Sequence, residues 1–369
     1  MKLFADKQYL PSTVAHLPVL YPFWGVLQDS PAGIDQQVYD DYLRRANSIF
    51  TLTPLEQADA AIFPSPWEDV RNNAEAVAVA EKLAREAEAK GKPLIVFYRG
   101  DYEFPLPFAS NNVYFFRTSL TRSKRQPQQY TLPAWSADFT QQYSGGQLSI
   151  RQKTDLPVIG FCGDVGSGST MMAKLGRWIG QYPALWKLAR RFGVELIKHS
   201  GSRLRLHALR TLSRSKRVKP NFVLRYSFWN GAVYRSRVLD ADKVRNARQE
   251  YANNMLNSDY ILCLRGKGNF SYRLYETLSC GRIPILLDSD AVMPFEEWID
   301  WSQYGVWAKE ADLPRLGDMV ADFHARLSEQ AFVELQQKCR ALWVEWLSPS
   351  GFYGNMGRYF ESRAADQTM

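Results

Sequence analysis

Short apolar runs alternate along this chain with stretches of helical period, a pattern that restricts it to α/β architectures built on parallel sheets. The clearest unit spans residues 60–98. Ala60 to Pro64 (AAIFP) reads as a buried strand, Ala74 to Lys90 as an alanine-rich helix with Val77, Leu83 and Ala87 on one stripe, and Leu94 to Tyr98 (LIVFY) as a second strand. Gly91 supplies the left-handed residue that ends the helix, and Pro93 stops it from continuing.

The second half repeats this logic. Strands are expected at Val158 to Cys162, Val194 to Lys198, Asn221 to Tyr226, Tyr260 to Leu264 and Ile283 to Leu287, with helices at Ala241 to Leu256 and Phe270 to Leu278. A polar, turn-rich segment from Ser136 to Leu156 separates the halves. The expected division is therefore an α/β domain over residues 1–155, a second over 156–345, and a tail, 346–369, that packs back on the first. Two such domains in sequence imply a cleft between them, since open parallel sheets bind ligands at the carboxyl ends of their strands. No internal repeat appears, which sets aside solenoids and propellers.

Composition narrows the setting. With 369 residues, 46% of them hydrophobic, the chain can bury conventional cores. Asp6 and Lys7 stand where a signal peptide needs its apolar stretch, and the apolar-looking run Val14 to Leu27 is broken by His16, Pro18, Pro22 and Gly25. The expectation is a cytoplasmic protein without a membrane span. Cys162, Cys263, Cys280 and Cys339 form no CxxC or His/Cys cluster, so reduced thiols and no structural zinc are expected. The net charge is +8, yet Arg203 to Arg248 holds 13 Lys or Arg against Asp240 and Asp242, a local +11 that leaves −3 for the remainder. Phe222, Tyr226, Phe228, Trp229 and Tyr234 are interleaved there. Three readings compete: a solvated helix face, attraction to an anionic substrate or membrane, and nucleic-acid binding, in that order.

The segment richest in chemistry is Ser258 to Pro294. A strand ending at Leu264 runs into the loop Arg265-Gly266-Lys267-Gly268-Asn269, with Asn269 expected to N-cap the next helix. A strand, a glycine loop and a helix N-terminus together make an anion site, because free backbone N–H groups and the positive end of the helix dipole face the loop. Arg273 and Glu276 lie three apart and share a helix face. They fit phosphate and ribose contacts respectively, or equally a plain surface ion pair.

This segment resembles the C-terminal signature of exostosin-like glycosyltransferases: Leu262-Cys263-Leu264-Arg265-Gly266, then Ser271-Tyr272-Arg273-Leu274-Tyr275-Glu276, then Gly281-Arg282-Ile283-Pro284-Ile285. Weaker echoes stand at Ala58 to Pro64 and at Ile159 to Gly163, and the wording is closer to bacterial members than to animal ones. The resemblance implies a GT-B-like fold, two facing Rossmann-like domains, and inverting transfer of a sugar from a nucleotide diphosphate donor, a UDP-sugar, to a glycan in surface polysaccharide synthesis. The donor would sit on the second domain, at Arg265, Gly266, Lys267, Gly268, Asn269, Ser271, Arg273 and Glu276. Arg282 stands where many members carry Cys, and Cys280 two residues earlier, so the family's disulfide is not carried over.

Inverting transfer needs a base for the acceptor hydroxyl and positive groups for the departing diphosphate. Asp101, in Arg99-Gly100-Asp101 after a strand end, is the expected base, with Glu68 and Asp69 as a second candidate pair and a helix cap as the bland role for Asp69. Gly163 and Ser167, in the glycine-rich run from Gly160 to Ser169, would line the cleft floor. That run lacks the Gly-Lys-Ser/Thr of a P-loop. Asp288-Ser289-Asp290 resembles a metal-holding acid-x-acid motif, but a loop role is favoured and no metal or other cofactor is expected. Among the histidines only His199 is placed to reach the cleft. The competing function class is a non-catalytic basic binder of polyanions or nucleic acid. The expected partners are the nucleotide sugar, a glycan or lipid-linked glycan acceptor and an anionic membrane face, with no nucleic acid.

Overall fold

The computed structural model describes residues 1–12, 14–26, 34–164, 201–225 and 241–361. Ser167, His199, the expected strand Val194 to Lys198, and Tyr226, Phe228, Trp229 and Tyr234 lie outside the described residues.

Two all-parallel sheets carry the described fold. The first has strands β1 (Lys2–Phe4), β2 (Thr51–Leu52), β3 (Ala60–Ile62), β4 (Leu94–Tyr98), β5 (Val113–Arg117) and β6 (Gln129–Thr131), in the order β2-β1-β3-β4-β5-β6. The second has β7 (Val158–Asp164), β8 (Lys219–Arg225), β9 (Tyr260–Cys263), β10 (Ile283–Asp288) and β11 (Val306–Lys309), in the order β11-β10-β9-β7-β8. Every residue of β4, β5 and β9 is buried, as in strands covered on both faces by helices. The α/β class expected from the sequence is what forms.

The helices are labelled α1 (Ile34–Ile49), α2 (Ala74–Ala89), α3 (Gly201–Arg214), α4 (Ala241–Leu256), α5 (Tyr272–Ser279), α6 (Leu316–Arg326), α7 (Glu329–Leu342) and α8 (Pro349–Asn355). In α2 the side chain of Asn73 accepts from the N–H groups of Glu75 and Ala76, and Gly91 beyond the other end has φ 64°. Its buried stripe is Ala76, Ala80, Leu83, Ala84 and Ala87. Asn73 is thus the cap, and Asp69 lies in the short helix Trp67–Val70 instead.

Between the sheets, the chain from 135 to 151 is bonded down. Arg340 clamps Asp138 through two bonds of 2.7 Å, the Thr140 hydroxyl donates to Ser279 O (2.8 Å), and Trp135 Nε1 donates to Leu347 O (3.0 Å). Arg151 pairs with the fully buried Asp259, which also accepts from Val158 N at the start of β7 (2.7 Å). Toward the C-terminus the chain crosses to the first sheet: Tyr353 packs on Tyr42 and Phe50, and Phe352 on Phe97 and Phe116. The Tyr359 hydroxyl accepts from Phe295 N (2.9 Å), joining both halves in one aromatic cluster. All four cysteines are buried and free.

Candidate functional site

The second sheet changes direction between β7 and β9: β8 lies on one side of β7, and β9, β10 and β11 follow on the other. Such a switch point opens a crevice at the carboxyl ends of the two strands. Arg273, in the first turn of α5, fills that position. Its Nη2 donates to Cys162 O (2.8 Å) and its Nη1 to Leu262 O (3.4 Å), so one guanidinium spans both strand ends. Its Nε donates to the Tyr251 hydroxyl (3.3 Å), and the group lies 4.3 Å from the centre of the Phe161 ring. Three of its donor atoms have partners, while the guanidinium carries five N–H groups. A side chain at Gly163 would begin 2.8 Å from Nη2, so this seat requires glycine.

Glu276 stands one turn further along α5. It accepts from the Tyr251 hydroxyl rather than pairing directly with Arg273. Burial pushes the Glu276 carboxyl up, with Tyr251 and Arg273 pulling it back, and burial together with Glu276 holds the Tyr251 hydroxyl well above its ordinary range. Burial works against the Arg273 charge, but Tyr251, Cys263 and Glu276 outweigh it and hold its pKa above the usual arginine value. The result is a hydroxyl-bridged triad, not the surface ion pair that spacing alone allowed.

A second cation reaches the same floor. Arg205 of α3 donates from Nη1 to Asp164 O (2.5 Å) and lies 5.8 Å from the Phe161 ring centre. Burial and then Arg273 lower its pKa to about 10, and its buried Nε has no partner. Within the basic stretch it looked like any other surface arginine; what singles it out is its half-buried place on α3, which no local pattern announces. Gly163→Ala should push the Arg273 guanidinium off Cys162 O and weaken nucleoside diphosphate binding about tenfold in calorimetry. Unchanged affinity would show that this seat is not needed for the anion.

The loop 265–271 faces the first sheet. Gly268 needs its missing side chain, because a Cβ there would begin 3.0 Å from Asp101 Cα and 2.7 Å from the Phe270 ring. Lys267 lies 4.4 Å from the Tyr102 ring centre. Arg265 is half-buried after β9, and Gly266 N donates to Phe270 O (3.2 Å). Asn269 is not the helix cap. Its N–H donates to the Ser119 hydroxyl (2.9 Å) and its Nδ2 to Thr121 Oγ1 (3.1 Å) and Ser289 O (3.0 Å), which spends it on joining the two halves. Ser271 holds the N-cap place, and its side chain makes no capping bond.

Opposite lies the loop after β4. The two Glu68 oxygens accept from Arg99 N (3.0 Å) and Arg99 Nε (2.7 Å), and Glu103 accepts from Ser119 and Thr121. Beneath them Arg117, 1% exposed at the end of β5, donates to Tyr102 O (2.9 Å) and Phe104 O (3.0 Å) and stacks over Phe104 at 4.7 Å. Nothing in the sequence marks Arg117, since a charge ending an apolar run looks like a solvated strand end. Asp101 takes no hydrogen bond among the described residues, and neither does the Asp69 carboxylate beside Glu68. The Asp101 charge raises the pKa of Lys267, after the larger effect of Tyr102, and that of Tyr272, after burial and alongside Glu68. Asp101 thus meets the loop 265–271 across the interface.

Asp288-Ser289-Asp290 forms a latch between the halves. Asp290 accepts from Ser123 N (3.1 Å) and the Ser123 hydroxyl, and its own carbonyl accepts from Arg122 N (2.7 Å); Arg122 in turn clamps Glu296. Among the described residues no cluster of His, Cys, Asp and Glu has metal-holding geometry. His324 is bonded between Tyr260 and Thr154, and His16 to Gly25 O.

The described residues thus form two parallel α/β sheets, with a guanidinium across the switch point of one and a carboxylate on the rim of the other. Residues 225–323 match the model of the Exostosin GT47 domain. Over 107 residues, 29% of this chain and 14% of the relative, the sequence is 38% identical to Exostosin-1 of Drosophila melanogaster. It is 37% identical over 70 residues, 19% of this chain and 16% of the relative, to a probable glucuronosyltransferase of Oryza sativa subsp. japonica. The chain thus spans a small part of the length of these relatives. A glycosyltransferase structure from Rickettsia africae ESF-5 aligns at a TM-score of 0.35 and 11% identity over 90% of this chain and 95% of that chain, too weak a likeness to argue from. The family match thus falls in the second half of the chain, where residues 225–323 are similar to exostosin-like glycosyltransferases.

Proposed function

We propose that this chain is an inverting glycosyltransferase that moves a sugar from a nucleotide diphosphate donor, a UDP-sugar, to a glycan in surface polysaccharide synthesis. The observation that carries the reading is Arg273, spanning Cys162 O and Leu262 O at the switch point while Asp101 approaches Gly268 from the other sheet. In the proposed reaction an acceptor hydroxyl oxygen attacks the anomeric carbon and the bond from that carbon to the diphosphate oxygen breaks. Asp101 takes the hydroxyl proton, and the diphosphate leaves with the electron pair. Arg273, Arg205, Lys267 and the open N-terminus of α5 face the developing negative charge, and Glu276 accepts from the ribose. In this reading the enzyme is cytoplasmic and takes a lipid-linked glycan at an anionic membrane face. Among the described residues no helix is long and apolar enough to cross a membrane.

A screen of nucleotide sugars for diphosphate release tests the activity. Saturable stabilisation by UDP supports it, whereas stabilisation by long polyanions alone would favour the non-catalytic basic binder. EDTA should leave most turnover in place, because the proposed chemistry uses cations of the chain and Asp290 is engaged by Ser123 and Arg122. Activity that vanished on chelation and returned with magnesium would give Asp288 and Asp290 a ligand role.

A further inference from the structure

We infer that one flank of the second domain, the outer face of α3, docks reversibly on an anionic phospholipid surface. Arg203, His207, Arg210 and Arg214 are all exposed on α3 and recur at steps of four, three and four, which lays them in one stripe. At about 1.5 Å per residue the stripe runs about 16 Å. The helix contains no acidic residue, and Lys216 extends the stripe past its end. Arg210, Arg214 and Lys216 take part in none of the ion pairs among the described residues.

The stripe borders a groove between the C-terminal end of α3 and the start of α6, whose walls include Arg210, Thr211, Arg214, Ser215 and Lys216. Arg217, also in the wall, bonds Asp318 (3.3 Å) and Asp322 (2.6 Å), so the carboxylate in the groove already has its cation. Guanidinium and ammonium groups beside two hydroxyls suit a phosphodiester headgroup. Nucleic acid fits less well: no Phe, Tyr or Trp lines the groove to stack a base, and Phe222 of the neighbouring strand packs toward the core. The stripe starts near Arg205, whose partner Asp164 ends β7, so docking by this flank would set the crevice beside the lipid surface.

Each Lys or Arg contributes modestly at such a surface, and the attraction fades over about 8 Å at physiological salt, so attachment should be reversible. In co-sedimentation the full chain should pellet with phosphatidylglycerol-containing vesicles, stay in solution with pure phosphatidylcholine, and be released by high salt. The double variant Arg210→Glu with Arg214→Glu should lose about tenfold or more in partitioning, while its calorimetric affinity for UDP stays that of the parent. The milder pair Arg210→Gln with Arg214→Gln should fall between and guards against misfolding of the first. Equal pelleting with neutral vesicles, no pelleting with anionic ones, or full binding by the folded double variant would overturn the inference. Displacement from vesicles by single-stranded RNA at trace concentration would overturn it in favour of nucleic acid. Since UDP binding is read separately, loss of the docking surface and loss of the transferase reading remain distinguishable.

Discussion

Asp101→Asn should lower kcat by about 10²- to 10⁴-fold, the usual contribution of a positioned general base, while leaving donor affinity close to that of the parent. The ground for choosing this carboxylate over Asp69, which also accepts no bond, is its approach to Gly268 across the interface, while its other neighbours on the rim are engaged. Glu68 has both oxygens on Arg99, and Glu103 is spent on Ser119 and Thr121. The readout is diphosphate release with saturating donor, alongside UDP binding by calorimetry. Asp69→Asn serves as the comparison, and a loss confined to that variant would move the base to the short helix Trp67–Val70. Arg117 fixes where Asp101 stands, because its two bonds to Tyr102 O and Phe104 O hold the loop from beneath.

Arg273→Ala should weaken UDP binding by about tenfold or more, since each charge-assisted hydrogen bond to a ligand is worth about 1.5–3 kcal/mol. The same variant should also melt at lower temperature. Truncation strips Cys162 O and Leu262 O of their donor, at a cost of about 1–3 kcal/mol for each buried group left unpaired. Arg273→Lys separates the two effects: an ammonium keeps the charge but lacks the planar fork that reaches two strand ends at once. Affinity should then recover in part and stability little. A folded Arg273→Ala protein with parental affinity would mean that this arginine is purely a structural tie between β7 and β9.

Much of the fold was legible in the residues. The run Leu94–Tyr98 matches β4 end for end and Ala241–Leu256 matches α4, because a strand buried on both faces and a sixteen-residue helix each carry their signal within one window. Among the described residues five strands carry no such signal. β1, β2 and β6 are two or three residues long, too short for any periodicity, and β5 and β11 end in Arg117 and Lys309, which disguise apolar runs as polar segments. Boundaries slipped where tertiary contacts claimed a residue. Asn269 has the chemistry of a helix cap, but Ser119, Thr121 and Ser289 bind it first, and the helix begins three residues later.

The candidate site divides in the same way. The spacing of Arg273 and Glu276, and the glycines behind β9, are properties of the chain over a dozen residues, so the sequence alone was enough to set them on one face of a helix behind a glycine loop. That Arg273 reaches the carbonyl of Cys162, 111 residues away, that Asp101 comes up against Gly268, and that Arg205 joins the same floor were decided only by how the two sheets assemble. The reason is physical: helix and strand periodicity is a local energy read within a few turns. The meeting of distant loops depends on strand order and on the docking of a shared core, which is spread over many side chains and written in no single one.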